Sequence, residues 1–371
     1  MKTHHRIEQL CNDAEQKRRC FYHTNDSERH AARTRVQRGL LVRPHRNVYA
    51  RQAYWNSLNP AEQCRHVIRT LSTQYPNRTF AGISAAAMLN LEYSWSLNRE
   101  GTIFLASSSG NSVRTHSSIQ HVIIRRPPTH NVVHYLFNQQ FCTLLMPANA
   151  PNTADSIMTN LPQNAILTNI VPVTSPARTL VDCGLQYPFV QAMAMFDSAL
   201  RQGIVTREQV MEICDSLQKD CGPVLRLLRY TNPLNENGGE SLCYATIIDE
   251  GFAVPELQHV FIAPQSPQGT FRVDFVWHTE DGRVIVLEFD GTEKYVDPAM
   301  TDNHSVQRVV NDERQREDFL KQAGVTAIIR VNYNEVRQRN PLVRKLLEAH
   351  VPMARAHPFY ERYTDVQGRV W

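Results

Sequence analysis

Three carboxylates stand where two short apolar runs come together. Asp274 lies in Arg272-Val273-Asp274-Phe275, and Glu288 and Asp290 lie in Val286-Leu287-Glu288-Phe289-Asp290-Gly291, with Lys294 and Tyr295 just beyond. Acidic side chains set inside apolar strands lose hydration and repel one another, a cost that a bound cation offsets. Hard oxygen donors of this kind suit Mg2+ or Mn2+, whereas zinc prefers nitrogen and sulfur. A divalent ion on paired carboxylates polarises a phosphoryl oxygen and acidifies a bound water, the chemistry of phosphodiester hydrolysis. On this reading Asp274 and Glu288 are metal ligands, Asp290 assists, and Lys294 stabilises charge developing in the transition state. The bland alternative is an exposed hairpin with solvated acids.

The chemistry depends on strand register. Phe271–Trp277 and Val284–Phe289 are rich in β-branched and aromatic residues, and His278-Thr279-Glu280-Asp281-Gly282-Arg283 separates them. A two-residue Asp281-Gly282 turn pairs residue 274 with 289. A three-residue loop, Glu280-Asp281-Gly282 with Gly282 left-handed, pairs 274 with 288. A slip of one residue sends every side chain to the other face. The three-residue loop places Asp274, Val276, Val286, Glu288 and Asp290 on one face. It places Phe271, Val273, Phe275, Trp277, Ile285, Leu287 and Phe289 on a wholly apolar opposite face. That partition selects it, and sets Asp274 and Glu288 roughly 5 Å apart across strands.

These residues resemble the PD-(D/E)XK nuclease superfamily, in particular the Vsr-like endonucleases and domains related to them. The resemblance runs from Gly238 to about Asn332, a quarter of the chain. It implies that Gly238-Gly239-Glu240-Ser241 opens a helix carrying the first acidic position, Glu240, a third metal ligand. It also implies a first strand led by Leu257-Gln258, a helix over Asp312–Leu320 and a strand over Gly324–Val331. One departure matters: the superfamily's lysine belongs two residues after the acid, and Asp290 stands there, with Lys294 four residues further on.

The net charge of +4 hides an asymmetry: residues 1–130 carry 19 Lys and Arg against 8 Asp and Glu, and the remainder 21 against 28. Arginine dominates the basic part, and it suits phosphate and guanine contacts. Ile7, Leu10, Cys11 and Ala14 fall at helical spacing, predicting a first helix that ends near Phe21. Asp26 or Ser27 caps a second helix that stops at Gly39, and a hairpin turns around Pro44-His45-Arg46-Asn47. Helix, basic helix and basic-tipped hairpin is the order of a winged helix-turn-helix, which places Arg29, Arg33, Arg35, Arg38 and Arg46 on double-stranded DNA. Arg314 and Arg316 are further phosphate contacts in the nuclease-like part.

The same segment resembles the N-terminal domain of AbiEi-type antitoxins, with Arg38-Gly39-Leu40 before the wing and Asn47-Val48-Tyr49 after it, where Gly-Val-Tyr is usual. Asn tolerates positive φ, so the turn is expected to survive. The run Thr174-Ser175-Pro176-Ala177-Arg178-Thr179-Leu180-Val181-Asp182 resembles the domain that follows the winged helix in that architecture. Ser84, Arg178 and Asp182 read as a helix cap and a structural ion pair more readily than as a site.

The expected organisation is an α/β multidomain protein. It comprises a winged helix-turn-helix over 1–56, an α+β middle domain over 57–232, a restriction-endonuclease-like domain with a mixed central sheet over 233–350, and a tail over 351–371. The polar stretch Asn232–Gly239 reads as a linker. No transmembrane-length apolar run and no signal-peptide core are evident, and eight scattered cysteines make no CxxC pair, so a cytoplasmic protein is the default expectation. Three functions follow: a DNA-targeted, Mg2+- or Mn2+-dependent endonuclease or nickase in defence or repair; a non-catalytic DNA-binding regulator or antitoxin with a cognate toxin or other defence partner; or a protein-interaction scaffold.

Overall fold

The computed structural model describes residues 5–98, 101–108, 118–147, 157–262, 269–290 and 306–354. The expectations for Gly291, Lys294, Tyr295 and the tail beyond 354 fall outside them. The chain is a mixed α/β protein that divides into two compact units, Met1–Gln186 with Ile204–Cys221, and Tyr187–Gly203 with Gly222–Trp371. The boundaries expected at 56/57 and 232/233 thus fall inside the first and second units respectively.

In the first unit, α1 (His5–Gln16) and α2 (Asp26–Gln37) pack with the antiparallel hairpin β1 (Leu41–His45) and β2 (Val48–Arg51) around Ile7, Cys11, Ala32, Leu41 and Tyr49. The first helix stops at Gln16 rather than near Phe21, because Arg18 turns to φ +45° and Arg19 N–H bonds back to Ala14. The cap of α2 is Asn25, not Asp26 or Ser27: its side chain accepts from Glu28 N at 2.9 Å. Glu28 accepts in turn from Thr24 N and from Arg6, which closes the entry to the helix. Gly39 ends α2 at φ +69°, and Asn47 turns the hairpin at φ +57° as the sequence predicts.

The chain continues through α3 (Gln52–Ser57), α4 (Pro60–Gln74) and the wholly buried α5 (Gly82–Met88). Strands β3 (Ile103–Ser107) and β4 (Ile119–Ile123) pair in parallel. Strands β5 (Thr129–Phe137), β6 (Gln140–Pro147) and β7 (Ile166–Thr174) form an antiparallel sheet ordered β6-β5-β7. Ser175 caps α6 (Pro176–Gln186), accepting from Arg178 N. The next helix, α7 (Phe189–Arg201), belongs to the second unit, and α8 (Arg207–Asp215) to the first.

The second unit adds α9 (Gly222–Tyr230) and α10 (Gly238–Asp249), then β8 (Glu256–Ile262), β9 (Thr270–His278) and β10 (Val284–Asp290). It finishes with α11 (Val306–Gln322), β11 (Ala327–Asn332), α12 (Tyr333–Gln338) and α13 (Asn340–Glu348). Its sheet is mixed, ordered β11-β10-β9-β8, with β10 and β11 parallel across α11 and the other pairs antiparallel. A parallel pair needs such a crossover.

The loop between β9 and β10 is the three-residue one. Thr279 N bonds to Arg283 O at 2.9 Å, and Gly282 sits at φ +83°. Val276 pairs with Val286 and Phe275 with Leu287, where the ladder ends; the same register carried one residue further would bring Asp274 and Glu288 to one face. Phe275, Ile285 and Leu287 are fully buried, and so are Val276 and Val286, which pack with Phe319 and Leu320 of α11. Phe271, expected on the opposite face, also reaches α11, meeting Phe319 edge-on with ring centroids 4.5 Å apart.

The expected linker at 232–239 is part of this fold. Asp197 of α7 is fully buried and accepts from Asn232 N at 2.9 Å and Asn235 Nδ2 at 2.7 Å. A buried carboxylate without such donors would be strongly unfavourable, and burial still pushes this one up to about 6.

Candidate acidic site

Four elements bring polar side chains to one place at the sheet: Glu240 from α10, Gln258 from β8, Asp274 from β9 and Glu288 from β10. Asn237 caps α10, accepting from Gly239 N and Glu240 N at 2.9 and 3.0 Å, which sets Glu240 in the first turn. Gly239 permits the approach: a Cβ there would lie 2.4 Å from the Phe289 ring. Glu240 is almost fully engaged. It accepts from Glu236 N at 2.8 Å, from Gln258 Nε2 at 3.1 Å and from Asn237 Nδ2.

Gln258 carries the strain of the site. It lies inside β8 yet has φ +55°, and the ladder pairs Leu257 with Phe275 and His259 with Val273 on either side of it. A left-handed non-glycine residue within an otherwise unshifted ladder re-aims its side chain, at a conformational cost of about 1 kcal/mol or more. Asp274, opposite it, fills the gap where β9 and β10 part. Beyond the Phe275–Leu287 pair, its Oδ2 takes the Phe289 N–H at 2.8 Å, a donor that a strand carbonyl would otherwise accept.

Burial holds all three acids above their ordinary proton affinity. Burial pushes Glu240 up to about 7, with Asp274 and Glu236 adding to the rise. Burial also raises Asp274 against the pull of the Phe289 N–H and Arg316. It raises Glu288 too, with Arg316 opposing and Asp274 adding. Arg316 of α11 puts Nη2 2.9 Å from Glu288 Oε1 while donating to Arg272 O at 3.0 Å. The Glu288 contact is close but off the line of a hydrogen bond. Glu288 Oε1, Arg316 Nε and Gln258 Oε1 are therefore buried without a hydrogen-bond partner among the described residues.

The remaining predicted positions scatter. Asp290 is exposed at the end of β10, opposite Asn332, and Lys294 is outside the described residues. Arg314 is exposed, whereas Arg316 pairs with Glu288 rather than standing ready for phosphate. In the first unit Arg29, Arg33, Arg38 and Arg46 are exposed, Arg29 beside Asp26 at 3.1 Å. Arg35 is not on that surface: it is buried and its Nη1 donates to Ala31 O at 3.0 Å. Ser84 accepts from Phe104 N, and Arg178 pairs with Asp182 at 2.9 Å in the interior.

Among the described residues, the group of three metal-ligating side chains whose donor atoms lie mutually within 4.8 Å is Glu256, His259 and His278; Glu240, Asp274 and Glu288 do not form such a group. The sequence carried no spacing that pointed to the histidines. No protein-family model, curated protein or solved structure matches this chain. No described helix is long and apolar enough to cross a membrane.

Proposed function

We propose that the chain is a DNA-targeted, divalent-metal-dependent endonuclease or nickase that hydrolyses phosphodiester bonds in defence or repair. Within this reading the second unit is restriction-endonuclease-like and the N-terminal helices and hairpin are a winged helix-turn-helix. One observation carries it: Glu240, Asp274 and Glu288 converge with Gln258 from four elements, all three acids with raised proton affinity. Hard oxygens, raised proton affinity and two acceptors without a hydrogen bond, Glu288 Oε1 (in ion-pair contact with Arg316) and Gln258 Oε1, are compatible with Mg2+ or Mn2+. Asp274, Glu288 and Glu240 would hold the ion, which when bound supplies Lewis-acid polarisation and an acidified water. Gln258 orients Glu240, and the Phe289 N–H orients Asp274. Arg316 supplies a cation beside Glu288, in the role that Asp290 at the usual lysine position cannot fill. Exposed Arg29, Arg33, Arg38 and Arg46 would grip double-stranded DNA.

A second reading, a non-catalytic DNA-binding regulator or antitoxin with a cognate toxin, is favoured by the same ion pair, since Glu288 already has a cationic neighbour. Supercoiled plasmid incubated with Mg2+ or Mn2+ separates the two. Nicking lost in Asp274→Ala and Glu288→Ala supports the enzyme. Plasmid left intact by wild type, with duplex binding weakened in Arg33→Ala, supports the regulator.

A further inference from the structure

Gln258 has a second consequence, for the strand residues on either side of it. Residues three apart on a regular strand point to opposite faces. Glu256 and His259 nonetheless meet, His259 Nδ1 lying 2.7 Å from Glu256 Oε1, because the left-handed Gln258 between them redirects the chain. From the neighbouring strand His278 brings Nε2 to 3.8 Å from Glu256 Oε2, and the two imidazoles stand edge-to-face with centroids 5.3 Å apart. Two nitrogens thus flank one carboxylate, at the edge strand of the sheet.

We infer that Glu256, His259 and His278 form a second metal site, for a transition ion of the zinc class. The donor set argues for this class. Two imidazoles and one carboxylate are ligands that zinc takes at about 2.0–2.2 Å, and Mg2+ or Ca2+ would select oxygen. The spacing argues for it as well. Donor atoms within 4.8 Å of one another need only small side-chain rotations to reach a shared centre. Three protein ligands leave a fourth position open to water or another ligand, and Glu256 and His278, both exposed, leave an entry path.

The site also has a target within the fold. Its two β8 ligands bracket Gln258, whose amide holds Glu240 at 3.1 Å. An ion joining Glu256 and His259 to His278 on β9 would pin the left-handed backbone at Gln258 and, through it, the position of Glu240. The assignment itself stands on the three ligands and does not depend on the nuclease reading.

The test uses the full chain, stripped with a chelator and titrated with Zn2+ by calorimetry and with Co2+ by absorption. Wild type should bind one equivalent, with cobalt ligand-field bands and no thiolate charge-transfer band, which separates this site from the eight free cysteines. His259→Ala and His278→Ala should each weaken binding by roughly 100-fold, as loss of one ligand in three requires. Asp274→Asn and Glu288→Gln should leave it unchanged. Should the histidine variants misfold, wild type still decides: Zn2+ should slow amide exchange at 256–260 and 276–279. Absence of binding, a thiolate band, binding that survives both histidine changes, or protection confined to other segments would each overturn the assignment.

Discussion

The Arg316 guanidinium lies against Glu288 with Nη2 2.9 Å from Oε1, yet it donates its hydrogen bond to the Arg272 carbonyl instead. The pair is thus held by charge without the alignment that makes such contacts strong. Arg316 is held by the Arg272 carbonyl and lies over the Phe271 ring as well as beside Glu288. It is also the cation that most depresses the proton affinity of Glu288.

Replacing Arg316 with alanine should raise Glu288 further and, on the nuclease reading, remove a cation from the site of chemistry. Because the Arg316 side chain is 35 % exposed, the stability loss should be about 1 kcal/mol, below the range for fully buried pairs. Nicking should fall by roughly 100-fold, and Arg316→Lys should restore part of it. Plasmid assays beside urea unfolding measure the two effects; activity equal to wild type in Arg316→Ala would remove this residue from the chemistry.

Glu240 makes stability depend on pH. Burial raises it to about 7 from an ordinary 4.5, so the folded state holds its proton more tightly than the unfolded chain does. Its contribution is complete below the unfolded value and is lost as pH rises through about 7. Asp274 and Glu288 shift in the same direction. With metal removed, Glu240→Gln should flatten the decline between about pH 5 and about pH 8 by on the order of 1–3 kcal/mol. Unfolding midpoints with parallel pH slopes in both proteins would contradict this.

Gly239 should resist substitution. A Cβ 2.4 Å from the Phe289 ring forces either the ring or the start of α10 to move, at about 1–3 kcal/mol. Both movements disturb the strand between Glu288 and Asp290. Gly239→Ala should lower the melting temperature, and Phe289→Leu in the same chain should recover part of the loss.

If the N-terminal helices and hairpin bind DNA as proposed, the exposed arginines should govern duplex binding. Arg33→Ala and Arg46→Ala should each weaken binding and reduce the dependence of affinity on salt by about one counterion. Arg35→Ala should lose stability instead, since that side chain is buried against Ala31 O. A salt slope indifferent to Arg33 and Arg46 would move the DNA interface elsewhere.

Much of the catalytic-looking hairpin was legible because strand parity is a local rule. Alternation over Phe271–Trp277 and Val284–Phe289, with Gly282 at the turn, leaves few registers open, and the observed one pairs Val276 with Val286 and Phe275 with Leu287 as the three-residue loop requires. Asn47 was readable for the same reason: only a residue tolerant of positive φ suits that turn. The rest depended on neighbours distant in the chain. Gln258 adopts its strained backbone with Glu240 and Asp274 around it, and no pattern in β8 announces a positive φ there. Arg35 and Arg316 read as surface cations until tertiary packing buried one and paired the other. The polar run at 232–239 looked like a linker because its anchor, Asp197, lies some 35 residues earlier.

That anchor sets a rule for dissecting the molecule. A fragment beginning at residue 233 would leave the helix Phe189–Arg201 behind, and with it the buried carboxylate that accepts from Asn235 in the segment leading into Glu240. Any excised C-terminal half must therefore take along a piece of chain that sequence order assigns to its neighbour. Shorter truncations should yield insoluble or unfolded material whatever the fate of the acidic residues.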